Sequence, residues 1–115
     1  MAQNRLIETQ IRSGVSVSDQ ANTYTLALTD NGTCVSTDRN VTIPANSSIS
    51  FRRGSMITVY NANTTSNIQI SITTDTLRVA GTSNTGTQNL KSYGIVTLIK
   101  VANTEWTAAG PGYGD

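Results

Sequence analysis

Histidine is absent from this 115-residue sequence, and cysteine occurs only at position 34. Without imidazole there is no histidine base and no histidine metal ligand, and a single cysteine completes neither the common zinc sites nor an internal disulfide. In "TCVS" the cysteine lies in a probable strand, where it is usually a small buried apolar group. Asp30 and Asp38, the carboxylates closest in sequence, fall in turn-like segments, where aspartate usually accepts nearby backbone N–H groups. The sequence predicts a non-enzyme with no metal and no cofactor.

Charged residues and long apolar runs are also scarce. Eight basic residues are offset by seven acidic ones and aromatic residues make up 5% of the chain, a composition that does not favour nucleic-acid binding. No apolar run approaches the length of a membrane span, and "MAQNRLIETQ" lacks the hydrophobic stretch of a secretory signal. The sequence therefore predicts no nucleic-acid partner, no membrane partner, and synthesis and use without Sec export.

The sequence is rich in β-branched side chains. Ile, Val and Thr together supply 37 of the 115 residues, and these stiff side chains suit a pleated surface. Leu, Ile, Val and Phe sum to only 25 residues, so the core is expected to be thin. We predict an all-β fold, a small antiparallel β-sandwich or barrel-like domain. A thin core and a net charge of +1 also favour association with further copies of the chain.

Alternation of apolar and polar residues places the strands. "NTYTLALTDNGTCV" predicts a strand over residues 23–28 that ends in a turn at "DNG". "NIQISIT" alternates cleanly, and "YGIVTLIKVANTEW" predicts a hairpin at the centre of the core. The predicted core residues are Ile57, Val59, Ile68, Ile70, Ile72, Ile95, Ile99 and Trp106.

Three parts of the chain are expected: an N-terminal arm over residues 1–21, a β-domain over 22–110 and a flexible tail over 111–115. In the arm, Ile7 and Ile11 are spaced as on one helical turn, whereas "VSVS" alternates like a strand. A short helix, an extended arm and a disordered segment all remain open.

Four stretches of the predicted β-domain carry a family resemblance: "NTYTLALTDNGTCVSTD", "VTIPANSSISFRRGSMITVYN", "IQISITTDTLRVAG" and "SYGIVTLIKVANTEWTAAG". The most specific pieces are "TIPANSS", "F..G..ITV" and the hairpin "TLIKVANTEW" with its Trp. Together they resemble a small β-domain of bacteriophage virion proteins, found in tail fibres and in capsid-associated decoration or head-fibre proteins. The resemblance implies a homotrimer that builds the virion, made in the host cytoplasm and located on the particle.

The position on the particle is not fixed by this resemblance. A fibre tip usually ends a long chain with a shaft, whereas this sequence begins at Met1 with no repeat region before the β-domain. That arrangement favours a capsid decoration (cement) protein, bound as trimers to the major capsid protein on the capsid surface. The alternatives are a tail-fibre or head-fibre tip that binds a host receptor or glycan, and a non-viral binding module.

Two adjacent arginines, Arg52 and Arg53, stand between a Phe and a Gly in "SFRRGS". Relatives of this kind have uncharged or Pro-containing residues there, so the resemblance supplies no role for the pair. Neighbouring residues of an extended chain point to opposite sides, so the two cannot both lie in the core. Either both are solvated in a surface turn, or one binds a carboxylate of another subunit through its planar guanidinium.

The arm combines apolar and basic residues without a core of its own. We expect it to dock on a neighbouring subunit or on the major capsid protein, because apolar side chains favour burial and arginines can pair with acidic groups. The arm residues predicted to make these contacts are Arg5, Leu6, Ile7, Ile11 and Arg12.

Overall fold

The computed structural model describes residues 15–114, which form two β-sheets. The strands are β1 Val17–Gln20, β2 Tyr24–Thr25, β3 Cys34–Thr37, β4 Val41–Ile43, β5 Met56–Asn61, β6 Ile68–Ile72, β7 Thr76–Val79, β8 Gln88–Leu90, β9 Ile95–Ala102 and β10 Glu105–Ala109. A 3₁₀ turn, Leu28–Asp30, stands between β2 and β3. The prediction of a small, mostly β domain is confirmed.

The chain alternates between the two sheets. The large sheet has the order β1-β3-β5-β9-β10-β7, and the small sheet has the order β2-β4-β6-β8. From β1 to β6 each strand is followed by one in the opposite sheet, so the chain returns to each sheet in the same direction. All four pairings among β1, β3 and β5 and among β2, β4 and β6 are parallel. This part of the chain is a flattened spiral.

Both sheets are therefore mixed, where antiparallel sheets were predicted. The "DNG" turn is the clearest reason: it leads from β2 in the small sheet to β3 in the large sheet, and does not close a hairpin. Antiparallel pairing joins β5 with β9, β9 with β10, and β6 with β8. The predicted terminal hairpin of β9 and β10 is present, with a register irregularity between Glu105 and Trp106.

Alternate residues of both sheets point into one hydrophobic core. Of the predicted core residues, Ile57, Val59, Ile68, Ile70 and Trp106 are buried, and the half-buried Ile72 packs against them. The ring of Phe51 contacts that of Trp106 edge-on, an arrangement that aromatic pairs favour.

The face of β9 that points into the core is the opposite of the predicted one. Val96, Leu98 and Lys100 are buried, whereas Ile95 is 40% exposed and Ile99 is half-buried on the other face. The core assignment of Ile95 and Ile99 is therefore wrong. Because β9 is apolar on both faces, alternation alone does not choose between them. Direct pairing with the buried residues of β5 decides which face points inward.

Both boundaries of the β-domain differ from the sequence expectation. Residues 17–20 of the predicted arm form β1, at the edge of the large sheet. In the predicted flexible tail, Tyr113 is only 6% exposed and forms a β-bridge with Leu90. Gly110 permits this return of the chain, because a Cβ at that position would collide with the carbonyl oxygen of Ile95. Residues 111–114 thus pack onto the domain.

Candidate functional site

The large sheet has one face that no other secondary-structure element of residues 15–114 covers, and we call it the outer face. Its side chains alternate with buried ones along β3, β5 and β9, and with half-buried ones along the edge strand β1. Its members on these four strands are Val17, Asp19, Cys34, Ser36, Met56, Thr58, Tyr60, Ile95, Thr97, Ile99 and Val101. Thr58 pairs directly with both Cys34 and Thr97, and Cys34 pairs with Val17, so one row of side chains crosses four strands without a gap.

Apart from Asp19 on the edge strand, these outer-face residues are uncharged, and many of them are apolar. Val17 is 61% exposed, Met56 47%, Val101 42% and Ile95 40%. Threonines lie between them at half-buried positions. A contiguous exposed surface of this kind, depleted of charge at its centre, is typical of a protein–protein interface.

Charged side chains lie at the margins of the outer face. Asp19 lies on the edge strand β1. At the opposite side of the sheet, Arg78 Nε donates a hydrogen bond to Glu105 Oε2 at 3.0 Å, and both side chains are about one-third exposed, 34% and 30%. A partner approaching the centre of the outer face therefore displaces water from uncharged groups and leaves these charges at the rim, as in interfaces with an apolar core and a polar border.

The two arginines occupy a turn at one end of the outer face. Ser55 donates to the carbonyl oxygen of Arg52 through both its backbone N–H, at 3.0 Å, and its hydroxyl, at 2.6 Å. Gly54, with φ of +88°, supplies the left-handed conformation that the third position of such a turn requires. Both arginines are exposed, and Arg53 Nε donates to the carbonyl oxygen of Val101 at 3.3 Å.

Arg53 also borders an open depression beside the outer face. Gly54, Ile99, Lys100 and Val101 form the rest of its lining, and its volume is about 410 Å³. The guanidinium group of Arg52 makes no hydrogen bond or ion pair with any residue in the described part of the chain. The turn thus holds two exposed guanidinium groups next to an apolar surface, and a subunit or shell contact through them stays a prediction.

Lys100 is a functional candidate that the sequence did not reveal. It is only 2% exposed, and its Nζ donates hydrogen bonds to Asn46 Oδ1 at 2.6 Å and to the carbonyl oxygen of Phe51 at 2.9 Å. Ser50 Oγ donates to the same Asn46 oxygen at 3.2 Å, and the backbone N–H of Asn46 donates to Asp75 Oδ2 at 2.8 Å. The sequence does contain a signal for this site, a lysine at an inward-facing position of an apolar strand. It is recognised only when the two faces of β9 are assigned correctly.

The two carboxylates closest in sequence have separate environments. Asp30 is buried, and its Oδ2 accepts hydrogen bonds from the hydroxyl of Tyr24 and from the backbone N–H of Ala27, each at 2.7 Å. Burial, followed by the hydrogen bond and the negative charge of Asp30, raises the pKa of Tyr24 to about 12. Asp38 is exposed, and its Oδ1 lies 3.6 Å from Arg39 Nε. Asp30 therefore fixes a turn, and Asp38 belongs to the surface.

Cys34 is half-buried on the outer face, where a buried apolar group was expected. Burial raises the pKa of its thiol above the usual value. No group of at least three His, Cys, Asp or Glu residues that could hold a metal ion occurs among residues 15–114.

A second depression lies where β1 and β3 end, and apolar atoms make up most of its exposed surface. Its volume is about 270 Å³. It is lined by Asp19, Gln20, Ala21, Ser36, Thr37, Asp38 and Ala62. Trp106 is 1% exposed and offers no ring for sugar stacking, whereas Tyr93 is 61% exposed.

The predicted contact residues of the arm, Arg5, Leu6, Ile7, Ile11 and Arg12, lie outside the described residues. No helix within residues 15–114 is long and apolar enough to cross a membrane. No protein family, curated protein or solved structure matches this chain in the comparisons with known proteins.

Proposed function

We propose that this protein is a non-enzymatic bacteriophage virion structural protein, a homotrimer that binds the outside of the capsid as a decoration protein. The observation that carries the proposal is the outer face of the large sheet, uncharged at its centre, which no layer of secondary structure in residues 15–114 covers. The virion assignment comes from the resemblance in "TIPANSS", "F..G..ITV" and "TLIKVANTEW".

Three copies are arranged in this proposal with their outer faces towards the threefold axis. A standard protein–protein interface buries roughly 800 Å² on each partner. The domain measures 46 × 33 × 26 Å, so each of its sides is large enough for such a contact. Rotation about one axis closes the ring, which gives a finite particle and avoids an open filament.

The arginine turn serves as the polar border of this contact. Arg53 lies at the end of the outer face, bound to Val101, and Arg52 projects from the same turn. A carboxylate from a neighbouring subunit or from the shell that enters the depression beside Arg53 forms a charge-assisted hydrogen bond there.

The arm provides attachment to the shell in this proposal. Because β1 begins at Val17, the segment before it starts from the edge of the large sheet, beside the outer face. Fourteen residues extend over at most roughly 50 Å, enough to reach a neighbouring subunit or capsid protein. Three arms on one trimer act together, so weak individual contacts give firm binding through avidity.

Two measurements test the proposal. Analytical ultracentrifugation at micromolar concentration should show trimers, and a stable folded monomer under these conditions contradicts the assembly. Electron cryomicroscopy of intact particles should then show density for the trimer on the capsid. Density at the end of a tail or head fibre contradicts decoration and supports the fibre-tip alternative.

The fibre-tip alternative rests on the depression at the ends of β1 and β3. Carboxylates, hydroxyls and an amide line it, and these groups hydrogen-bond to sugar hydroxyls. Glycan-array binding that is lost in Asp38→Asn and retained in Asp75→Asn would favour the receptor-binding tip. Absence of glycan binding, together with capsid density, favours decoration.

A further inference from the structure

The side chains of Lys100 and Asn46 meet in a buried polar cluster between the two sheets. Asn46 follows β4 of the small sheet, and Lys100 lies in β9 of the large sheet. The Lys100 amine nitrogen is 2.6 Å from Asn46 Oδ1, the oxygen bonded to the carboxamide carbon. In proteins this is the distance of a short, strong hydrogen bond. The amine nitrogen is thus already hydrogen-bonded to the carbonyl group whose carbon it would attack.

The surroundings make a buried ammonium group at Lys100 costly. Its cross-strand neighbour is Trp106, and its Nζ contacts only uncharged acceptors on Asn46 and Phe51. The ion pairs formed within residues 15–114 are Arg39 with Asp38 and Arg78 with Glu105, so none of them includes this lysine. A buried charge without a charged partner is unfavourable, and a reaction that removes it from the core is favoured.

The carboxamide of Asn46 is held in a reactive arrangement. Its Oδ1 also accepts a hydrogen bond from Ser50 Oγ at 3.2 Å, and a donor on a carbonyl oxygen stabilises the negative charge that develops there when the lysine nitrogen attacks Cγ. Asp75 holds the backbone N–H of the same residue at 2.8 Å and so fixes its position. Since Asn46 is half-buried and Ser50 is exposed, the leaving group has a route to solvent.

We propose that Lys100 Nζ and Asn46 Cγ form an intramolecular amide bond. The new bond joins Nζ to Cγ, and the bond between Cγ and Nδ2 breaks. Nδ2 leaves as ammonia with a proton from the lysine nitrogen, or as ammonium when the lysine starts protonated. No oxidant, reductant or other reactant is required, and the core retains a neutral amide in place of a cation.

The cross-link ties the corner after β4 to β9 across a separation of 54 residues. Closing a loop of this length restricts the unfolded chain, as a disulfide does, in a protein with no cysteine pair. This inference is independent of the virion role, because it concerns bond formation within a single chain.

Intact mass spectrometry of the purified chain tests the proposal. The expected mass is below that of the sequence by the mass of one ammonia, and a peptide digest should contain one species that joins the segments around Asn46 and Lys100. Lys100→Arg and Asn46→Ala should each restore the full sequence mass. Lys91→Arg, the matched control, should keep the deficit. If Lys100→Arg does not fold, Lys100→Met preserves much of the buried volume and should give the same result.

Two results overturn the proposal. One is a wild-type chain with the full sequence mass. The other is a deficit without the linked peptide, since ring closure at Asn31–Gly32 also releases ammonia. When the cross-link is present, Asn46→Ala should lower the melting temperature by on the order of 10 °C, because an open chain replaces a closed loop.

Discussion

The ring of Phe51 stands at 78° to the ring of Trp106, with centroids 5.3 Å apart. Phe51 lies in the connection before the arginine turn, and Trp106 lies in β10, so this contact anchors that connection to the large sheet. The backbone of Phe51 also accepts the hydrogen bond from Lys100. The position of the arginines at the rim of the outer face therefore depends on an aromatic pair in the core.

Replacing Trp106 with Ala should destabilise the fold strongly. The side chain is 1% exposed, and removal of a buried aromatic ring costs about 3 to 5 kcal/mol in free energy of unfolding. Chemical denaturation measures the change. Leu28→Ala is the control, because Leu28 is 57% exposed and should change stability by no more than about 0.5 kcal/mol. Equal effects of the two substitutions would contradict the burial of Trp106.

A charge on the outer face should prevent trimer formation. Ile95→Lys places an ammonium group beside Tyr60, its direct cross-strand neighbour, at a site where the monomer tolerates it because Ile95 is already 40% exposed. Gln69→Lys adds the same charge on the exposed side of the small sheet. Sedimentation should show monomers for the first variant and trimers for the second. Trimers in both would exclude the outer face as the subunit interface.

Removal of the arginine side chains should weaken assembly and leave the monomer fold intact. Arg52→Ala and Arg53→Ala, singly and together, are compared with Arg39→Ala, which removes an exposed guanidinium from a different turn. If a carboxylate of a partner is desolvated against the pair, the double variant should lose about 2 to 5 kcal/mol of association free energy. Assembly equal to that of Arg39→Ala means that both arginines are simply solvated.

Deletion of residues 2–14 should separate trimer formation from attachment. The deletion ends before β1 and leaves every described strand in place. We expect the shortened chain to sediment as trimers and to lose binding to particles that lack the protein. Full occupancy by the shortened trimer in electron cryomicroscopy would show that the arm is not the anchor.

Two tyrosines should make stability fall at high pH. Burial raises the pKa of Tyr113 to about 12, and burial together with Asp30 raises that of Tyr24 to about 12. In the unfolded chain tyrosine ionises near about 10, so between about pH 10 and pH 12 the folded state binds more protons than the unfolded state. The stabilising contribution of each tyrosine is complete below its pKa in the unfolded chain. It is lost as the pH rises towards its pKa in the folded state. Urea denaturation over this range should show a shallower decline in Tyr24→Phe and in Tyr113→Phe.

At neutral pH the same two substitutions should differ in their effect on the free energy of unfolding. The Tyr24 hydroxyl donates to Asp30 at 2.7 Å, so its removal leaves a buried carboxylate with one partner fewer and costs about 1 kcal/mol or more. The Tyr113 hydroxyl is buried without a hydrogen-bond partner in the described residues, so Tyr113→Phe should be neutral or stabilising. A loss of stability in Tyr113→Phe alone would contradict this difference.

The sequence predicted strands well where one face is polar and poorly where both faces are apolar. Ile68 and Ile70 alternate with Gln69 and Ser71, and the two isoleucines are buried as alternation requires. In β9 the apolar residues give no such contrast, and the face assignment was inverted. The buried Lys100 was missed for the same reason.

Local sequence patterns did not predict which strands pair with one another. Whether a turn closes a hairpin or passes to the opposite sheet depends on which distant strand is available for pairing, and β3 pairs with β1 and β5 while its chain neighbours β2 and β4 lie in the other sheet. The tail was misjudged because "GPGYGD" has the composition of a flexible segment, whereas Tyr113 finds a buried site that only the assembled sheets create. The outer face likewise appears only when four strands, separated in sequence, lie side by side.

The spiral connectivity affects the order in which the sheets form while the chain is being synthesised. Strand β5 lies between β3 and β9, and β9 pairs on its other side with β10. The middle of the large sheet therefore joins segments that are distant in sequence, such as those of Tyr60 and Ile95. A nascent chain that has emerged only as far as β6 holds the parallel coils but not the surface on which copies of the chain would meet. Pairing between distant segments is slow compared with local contacts. The outer face is thus completed last, and under the proposed assembly, contacts between copies of the chain follow the folding of each copy.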